Sequence, residues 1–230
     1  MNDMTRPDDI DPPYLFADYR STRLRSPREP LLSLPQGAFD RPGPLVPASF
    51  VRSGDNDLTA RGRAEPLGEK MILSGRLLDD TGRPLARSLV EIWQANASGR
   101  YAHPGDQHDA PLDPNFEGTG RTFTDDDGWY RFVTIKPGAY PWQNHAFAWR
   151  PQHIHFSLLG NAPVQRLVTQ MYFPGDPLLA IDPVFNSVPD AKARERMLCS
   201  LALETGIEGV ALGYRFDIVL AGASATPREP

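Results

Sequence analysis

The middle of this chain repeats one short arrangement: an apolar run with strand propensity, a turn cluster of Asp, Gly and Pro, and a second extended run. Met71 to Leu78 leads through Asp79-Asp80-Thr81-Gly82-Arg83-Pro84 into Ser88 to Trp93. Thr122 to Thr124 leads through Asp125-Asp126-Asp127-Gly128 into Trp129 to Val133, with Lys136-Pro137-Gly138 closing the strand. Branched and aromatic residues suit a pleated, half-buried surface, while Gly and Asp adopt the turn conformations that bulkier residues resist. Further strands are expected at 153–159, 166–173 and 211–220, the last with Tyr214, Phe216, Ile218 and Leu220 at period two. The one helix expected runs from Pro189 to Leu201, with Met197, Leu198 and Leu201 on one side. Many strands and a single short helix predict an all-β fold, an antiparallel β-sandwich with long loops.

Residues 1–70 break this regularity. They hold many of the 24 prolines and keep no sustained period, so they read as an extended N-terminal arm ahead of a catalytic sandwich at 71–230. Such an arm needs a surface to lie on, and the apolar run Leu31 to Leu34 is a candidate to tuck into a groove. With 230 residues and a formal charge of −5 of mixed signs, the chain can bury a full core but carries no basic stripe. Neither nucleic acid nor a membrane surface is expected as a partner. The opening residues form no leader, and no run of about 18 apolar residues occurs, so the expected location is the cytoplasm. A single cysteine, Cys199, fits a reducing compartment and reads as a core residue beside Met197, Leu198 and Leu201. The Asp125 to Gly128 turn lacks the alternating oxygens and closing Glu of a calcium loop and reads as a turn.

Chemistry concentrates at Arg150-Pro151-Gln152-His153-Ile154-His155-Phe156. His-x-His on a strand puts two imidazoles on one face, where they can share a metal ion or be two partly buried histidines with hydrogen-bond partners. Tyr101, in Gly99-Arg100-Tyr101, and Tyr140, in Pro137-Gly138-Ala139-Tyr140-Pro141-Trp142, each sit just past a strand end, where a sandwich gathers its loops. Each tyrosine alone reads as a packed aromatic with a bonded hydroxyl. Taken with the histidines, they point to a hard Lewis acid, because a phenol with a free pKa near 10 ionises at neutral pH only beside one. Fe(III) answers that description; Fe(II) oxygenases pair two His with a carboxylate, and zinc favours His and Cys. His103, His108 and His145 lie in polar loops and read as solvent-facing or loop-tying residues.

The chain resembles the intradiol aromatic-ring dioxygenases over nearly its whole length. The resemblance is carried by Leu89 to Asn96, Gly99-Arg100-Tyr101, Ala110 to Phe116, Ile135 to Trp142, Trp149 to Phe156 and Tyr214 to Leu220. It implies one non-heme Fe(III) per chain, held by Tyr101, Tyr140, His153 and His155 with a solvent-derived hydroxide. It implies Arg150 as the active-site arginine, Gln170 as the glutamine that supports it, and Tyr19 and Trp142 as residues that meet substrate. It also implies a small aromatic diol and O₂ as substrates and an α subunit as partner in a larger oligomer. Catechol and hydroxyquinol remain open as ring types. So does a different class, a non-catalytic transthyretin-like β-sandwich module, because strand-turn segments such as Gly75 to Ile92 serve there too and a fold does not fix a function.

Overall fold

The computed structural model describes residues 10–32, 46–159 and 166–230. Eleven strands and three short helices occur among them. The strands are β1 (Lys70–Leu78), β2 (Leu89–Trp93), β3 (Thr119–Phe123), β4 (Trp129–Ile135), β5 (Tyr140–Pro141), β6 (Trp149–Arg150), β7 (His153–Leu159), β8 (Arg166–Tyr172), β9 (Ser200–Leu201), β10 (Leu212–Arg215) and β11 (Ile218–Val219). The helices are α1 (Thr22–Arg25), α2 (Pro183–Asn186) and α3 (Ala191–Glu195).

Two sheets face each other. One carries β4 and β1, with β10, β11 and β9 beyond them, and the other runs β3-β2-β7-β8. A third, two-stranded ladder joins β5 to β6. The expected sandwich is therefore present, with one feature the turn pattern did not announce: β10 and β11 both run parallel to β1. The expected strand at 211–220 is split into these two, yet Phe216, Ile218 and Leu220 all stay buried.

The core forms where the inner faces meet. Leu73, Leu77 and Phe132 from the first sheet pack against Val90, Ile92, Ile154, Phe156 and Leu158 from the second. At ~25 cal/mol per Å² of apolar surface, each such side chain contributes roughly 1.5–3 kcal/mol. Period-two alternation then has a chemical consequence in β7. With Ile154, Phe156 and Leu158 turned inward, His153 and His155 must face the opposite side of the sheet.

That opposite side is covered by chain from 177–198. Tyr172, Phe185, Val188, Ala193 and Met197 form a second small core there. Here the expected helix from Pro189 to Leu201 is corrected. Asp190 caps α3 through its side chain, which accepts from Ala193 N at 2.8 Å, but the helix stops at Glu195. Tyr172 N donates to Met197 O and Cys199 N donates to Tyr172 O, so the chain turns extended and pairs with β8. Leu201 points outward at 61% exposure, whereas Met197 and Cys199 are buried. Two further short helices, α1 and α2, accompany α3 where a single helix was expected.

Part of the arm is built into this fold. Leu58 belongs to the main core and its N–H donates to Val133 O. Leu31 and Leu32 are exposed, and the rest of the Leu31 to Leu34 run lies outside the described residues. The Asp125 to Gly128 segment is a turn, with Asp125 Oδ1 accepting from Asp127 N and Trp129 N. Among the described residues no helix is long and apolar enough to cross a membrane.

Candidate metal centre

Three strand registers assemble the site. The β7–β8 ladder sets His155 beside Gln170 and His153 beside Tyr172. The β2–β7 ladder sets Trp93 beside His155, and their rings stack at 4.7 Å and 6°. The β5–β6 ladder makes Tyr140 and Arg150 direct cross-strand partners. Residues far apart in sequence thus reach one place through main-chain pairing.

Tyr101 arrives on a loop that two glycines press against the Tyr140 loop. Gly99 has φ +77°, and a Cβ there would lie 2.1 Å from Ala139 O. A Cβ on Gly138 would lie 2.4 Å from Ala97 O. Neither position has room for a side chain, and Gly99 also needs the left-handed backbone that glycine adopts freely. Asn96 fixes the turn between them: its Oδ1 accepts from Ser98 N and Arg100 N, and its carbonyl accepts from Gly138 N at 2.9 Å.

The four rings are contiguous. Centroids lie 4.9 Å apart for His153 and His155, 5.2 Å for Tyr101 and Tyr140, 5.4 Å for Tyr140 and His153, and 6.4 Å for Tyr101 and His155. Pro151 O lies 2.6 Å from His153 Nδ1 and Glu229 Oε2 lies 3.2 Å from His155 Nδ1. Both acceptors call for a proton on Nδ1, which leaves each Nε2 lone pair for another partner. Burial pushes the His153 pKa well below the usual value, helped by the charge of Arg150, and burial lowers that of His155 despite Glu229. Both imidazoles are neutral at physiological pH, the form that binds a metal.

Tyr101 Oη is buried and has no hydrogen-bond partner among the described residues. Burial, and then the neighbouring Tyr140, push its pKa well above the usual phenol range. A buried hydroxyl left unpaired costs about 1–3 kcal/mol, which a metal ion on that oxygen would remove. Among the described residues no group of three or more His, Cys, Asp or Glu could hold a metal ion. The four rings offer two imidazole nitrogens and two phenol oxygens, a donor set that suits a hard cation.

Arg150 lies beside these rings and is almost fully buried. Its Nη1 is 3.2 Å from His153 Nε2, its Nη2 donates to Gln170 Oε1 at 2.7 Å, and Nε and Nη2 each donate to Asp182 at 2.9 Å. Trp142 covers the guanidinium at 5.4 Å, and the Tyr19 ring packs on Trp142 at 5.0 Å. Tyr19 is delivered by the arm, where Arg20 N and Ser21 N donate to Asn144 O and Oδ1. A cleft of about 780 Å³, lined by Trp93, Tyr101, His108, Tyr140 and Trp142, opens onto the tyrosines.

The structure thus brings together Tyr19, Tyr101, Tyr140, Trp142, Arg150, His153, His155 and Gln170. It adds Asp182, Tyr172 and Glu229, which sequence reading missed. Asp182 had a faint local signal, since it precedes Pro183 and caps α2 by accepting from Phe185 N at 3.1 Å. Glu229 had none. Of the other histidines, His103 is exposed, as a solvent-facing residue would be, whereas His145 is buried and its ring bonds the Trp149 backbone, which fits the loop-tying role of the two expected.

Comparison with known proteins agrees with this geometry. The family described as "Dioxygenase" matches residues 43–222, and "Protocatechuate 3,4-dioxygenase beta subunit N terminal" matches residues 4–37. The protocatechuate 3,4-dioxygenase beta chain of Burkholderia cepacia is 56% identical over 220 residues, covering 95% of this chain and 93% of that one. The alpha chain from Pseudomonas putida is 29% identical, covering 86% of this chain and 97% of its own. The dioxygenase domain of a carbohydrate-binding fusion protein from Streptomyces sp. SirexAA-E superposes with a TM-score of 0.52 at 28% identity, covering 80% of this chain and 100% of that one. Sandwich, site and relatives together establish that this chain belongs to the intradiol ring-cleavage dioxygenases, in the family of protocatechuate 3,4-dioxygenase β chains.

Proposed function

We propose that this chain carries the active centre of an enzyme that cleaves protocatechuate (3,4-dihydroxybenzoate) between its two hydroxylated carbons, inserting both atoms of O₂ to give 3-carboxy-cis,cis-muconate. The observation that carries this reading is the contiguity of two phenols and two neutral imidazoles, with both phenols lining one cleft and the Tyr101 hydroxyl buried and without a hydrogen-bond partner among the described residues. One Fe(III) per chain would be held by Tyr101, Tyr140, His153 and His155, and when bound it supplies the Lewis acidity that ionises the phenols and activates an ortho-diol toward O₂.

The chain's own residues do the rest. A diol must lose two protons before it can bind as a dianion, and two bases would take them: Tyr140 Oη at the cleft, as phenolate, and a solvent-derived hydroxide, which leaves as water. Arg150 cannot be deprotonated at working pH, so it keeps a fixed positive charge beside the reacting ring, where negative charge builds up. Asp182 and Gln170 hold that guanidinium still. Trp142 walls the cleft and orients the ring there, and Tyr19, packed on Trp142, backs that wall.

The assembly is part of the same proposal. The relatives' names, a beta chain and an alpha chain, support an αβ enzyme in a larger oligomer. We assign residues 71–230 to the catalytic sandwich and residues 1–70 to an arm that brings Tyr19 to it. Cytoplasmic residence and a place in aromatic-ring catabolism by the β-ketoadipate route complete the reading. Co-expression with an α chain, followed by oxygen uptake on protocatechuate and mass analysis of the product formed from labelled O₂, tests it. Two labelled oxygens in a ring-opened tricarboxylate are expected; no uptake, or a singly labelled product, contradicts it.

A further inference from the structure

The segment 225–230 folds back along β8 and reaches the candidate metal centre at His155 and Gln170. Glu229 N donates to Val168 O at 2.8 Å, and Thr169 Oγ1 donates to Pro227 O at 2.6 Å. These bonds place the Glu229 carboxylate over β8, where one oxygen, Oε2, serves two partners. It lies 3.2 Å from His155 Nδ1 and accepts from Gln170 Nε2 at 2.9 Å.

The second bond settles the orientation of the Gln170 amide. Gln170 Oε1 accepts from Arg150 Nη2 at 2.7 Å and from Tyr172 Oη at 2.7 Å, so the amide must turn its NH₂ to Glu229. A carboxylate is an acceptor only, and therefore requires a donor on both partners. His155 must carry its proton on Nδ1, and Gln170 must present its oxygen to Arg150. One side chain thereby fixes the tautomer of a candidate metal ligand and the support of the active-site arginine.

The same segment is clasped to the arm. Arg228 N donates to Asp11 Oδ1 at 3.0 Å, Arg228 Nη2 donates to Pro12 O at 2.7 Å, and the Arg228 guanidinium covers the Tyr14 ring at 4.4 Å. Seating of Glu229 therefore depends on docking of the arm that carries Tyr19.

We propose that Glu229 is a positioning residue of the metal centre, holding His155 in the Nδ1–H tautomer so that Nε2 faces the metal and locking Gln170 against Arg150. This inference rests on the reading of Tyr101, Tyr140, His153 and His155 as metal ligands. Partners of this kind on a ligating histidine typically change metal affinity or activity 10–100-fold when removed.

The test compares the full protein, with its α chain if required, as wild type, Glu229→Gln and Glu229→Ala. Iron release to a chelator, the phenolate charge-transfer band and thermal melting are measured on each. Nitrogen-15 spectra of histidine-labelled metal-free protein report the tautomer of His155. Glu229→Ala is expected to lose iron on the order of 10–100-fold faster, with a shifted band and a mixed His155 tautomer, at a melting temperature near that of wild type. Glu229→Gln keeps an acceptor oxygen and should recover much of the difference. Wild-type iron release and an unmixed Nδ1–H tautomer in Glu229→Ala would overturn the proposal. A wild type that takes no iron, while its His155 tautomer still shifts in Glu229→Ala, would refute the ligand reading yet uphold the positioning role.

Discussion

Arg150 and Asp182 form a two-pronged ion pair in which Nε to Oδ1 and Nη2 to Oδ2 are both 2.9 Å, with side chains 1% and 0% exposed. Burial pushes the Asp182 carboxyl up, but the charge and hydrogen bonds of Arg150 outweigh it and leave the group below the ordinary carboxylate range. Removing one member of such a pair leaves the other charged and buried, which costs about 3–5 kcal/mol. Asp182→Ala should therefore lower stability by that amount in denaturant melts, and should abolish turnover by freeing the guanidinium.

The same pair predicts an acid limb. A carboxyl whose folded pKa lies below its unfolded value, about 3.9 for Asp, contributes stability that is present above that value and lost as pH falls through the folded one. Stability of the wild type should decline below about pH 4, and Asp182→Asn should show a shallower decline in that window. Chemical denaturation at a series of pH values measures both slopes.

How much of this was readable beforehand depends on the range of the interaction. Strands β1, β2, β4 and β7 were legible because their apolar residues alternate or run continuously, and the ligand candidates were legible because they lie in short motifs at strand ends. The end of α3 was not. Met197 and Leu198 continue an apolar pattern that suits a helix, and only the pairing of Met197 O and Cys199 N with Tyr172 makes that stretch extended. Asp182 and Glu229 were missed for a related reason: they lie 32 and 74 residues from Arg150 and His155, the groups they contact, and at most a helix-cap signal marks Asp182 locally while nothing marks Glu229.

Tyr140→Phe should retain iron and still bind protocatechuate, because Tyr101, His153 and His155 remain. It loses the base at the cleft, so turnover should fall by on the order of 10²–10⁴. Anaerobic stopped-flow mixing separates slow substrate binding from slow chemistry. Wild-type turnover in this variant would remove Tyr140 from the proton transfer.

One hydroxyl holds the turn of the arm that presents Tyr19 to Trp142. Thr22 Oγ1 is buried, accepts from Phe16 N at 3.0 Å and lies 2.8 Å from Phe16 O and Tyr19 O. Thr22→Val keeps the shape and deletes these bonds, at a cost of about 1–3 kcal/mol to the local fold. Limited proteolysis should then cut near residues 16–22, and KM should rise as Tyr19 loses its place on Trp142, while the main melting transition stays put.

Cys199 gives a check on the core. It is 3% exposed, and burial pushes its thiol up to about 12. A thiol that neither ionises nor meets solvent does not react. Disulfide-exchange reagents at neutral pH should leave it untouched in native protein and titrate one thiol after denaturation.

The central claim is a mononuclear ferric site made by Tyr101, Tyr140, His153 and His155. Metal analysis combined with electron paramagnetic resonance and visible absorption on the purified protein tests it most directly. The account predicts one high-spin Fe(III) per chain and a reddish phenolate-to-iron band that weakens in Tyr140→Phe and disappears when both tyrosines are replaced; a colourless protein holding stoichiometric zinc would contradict it.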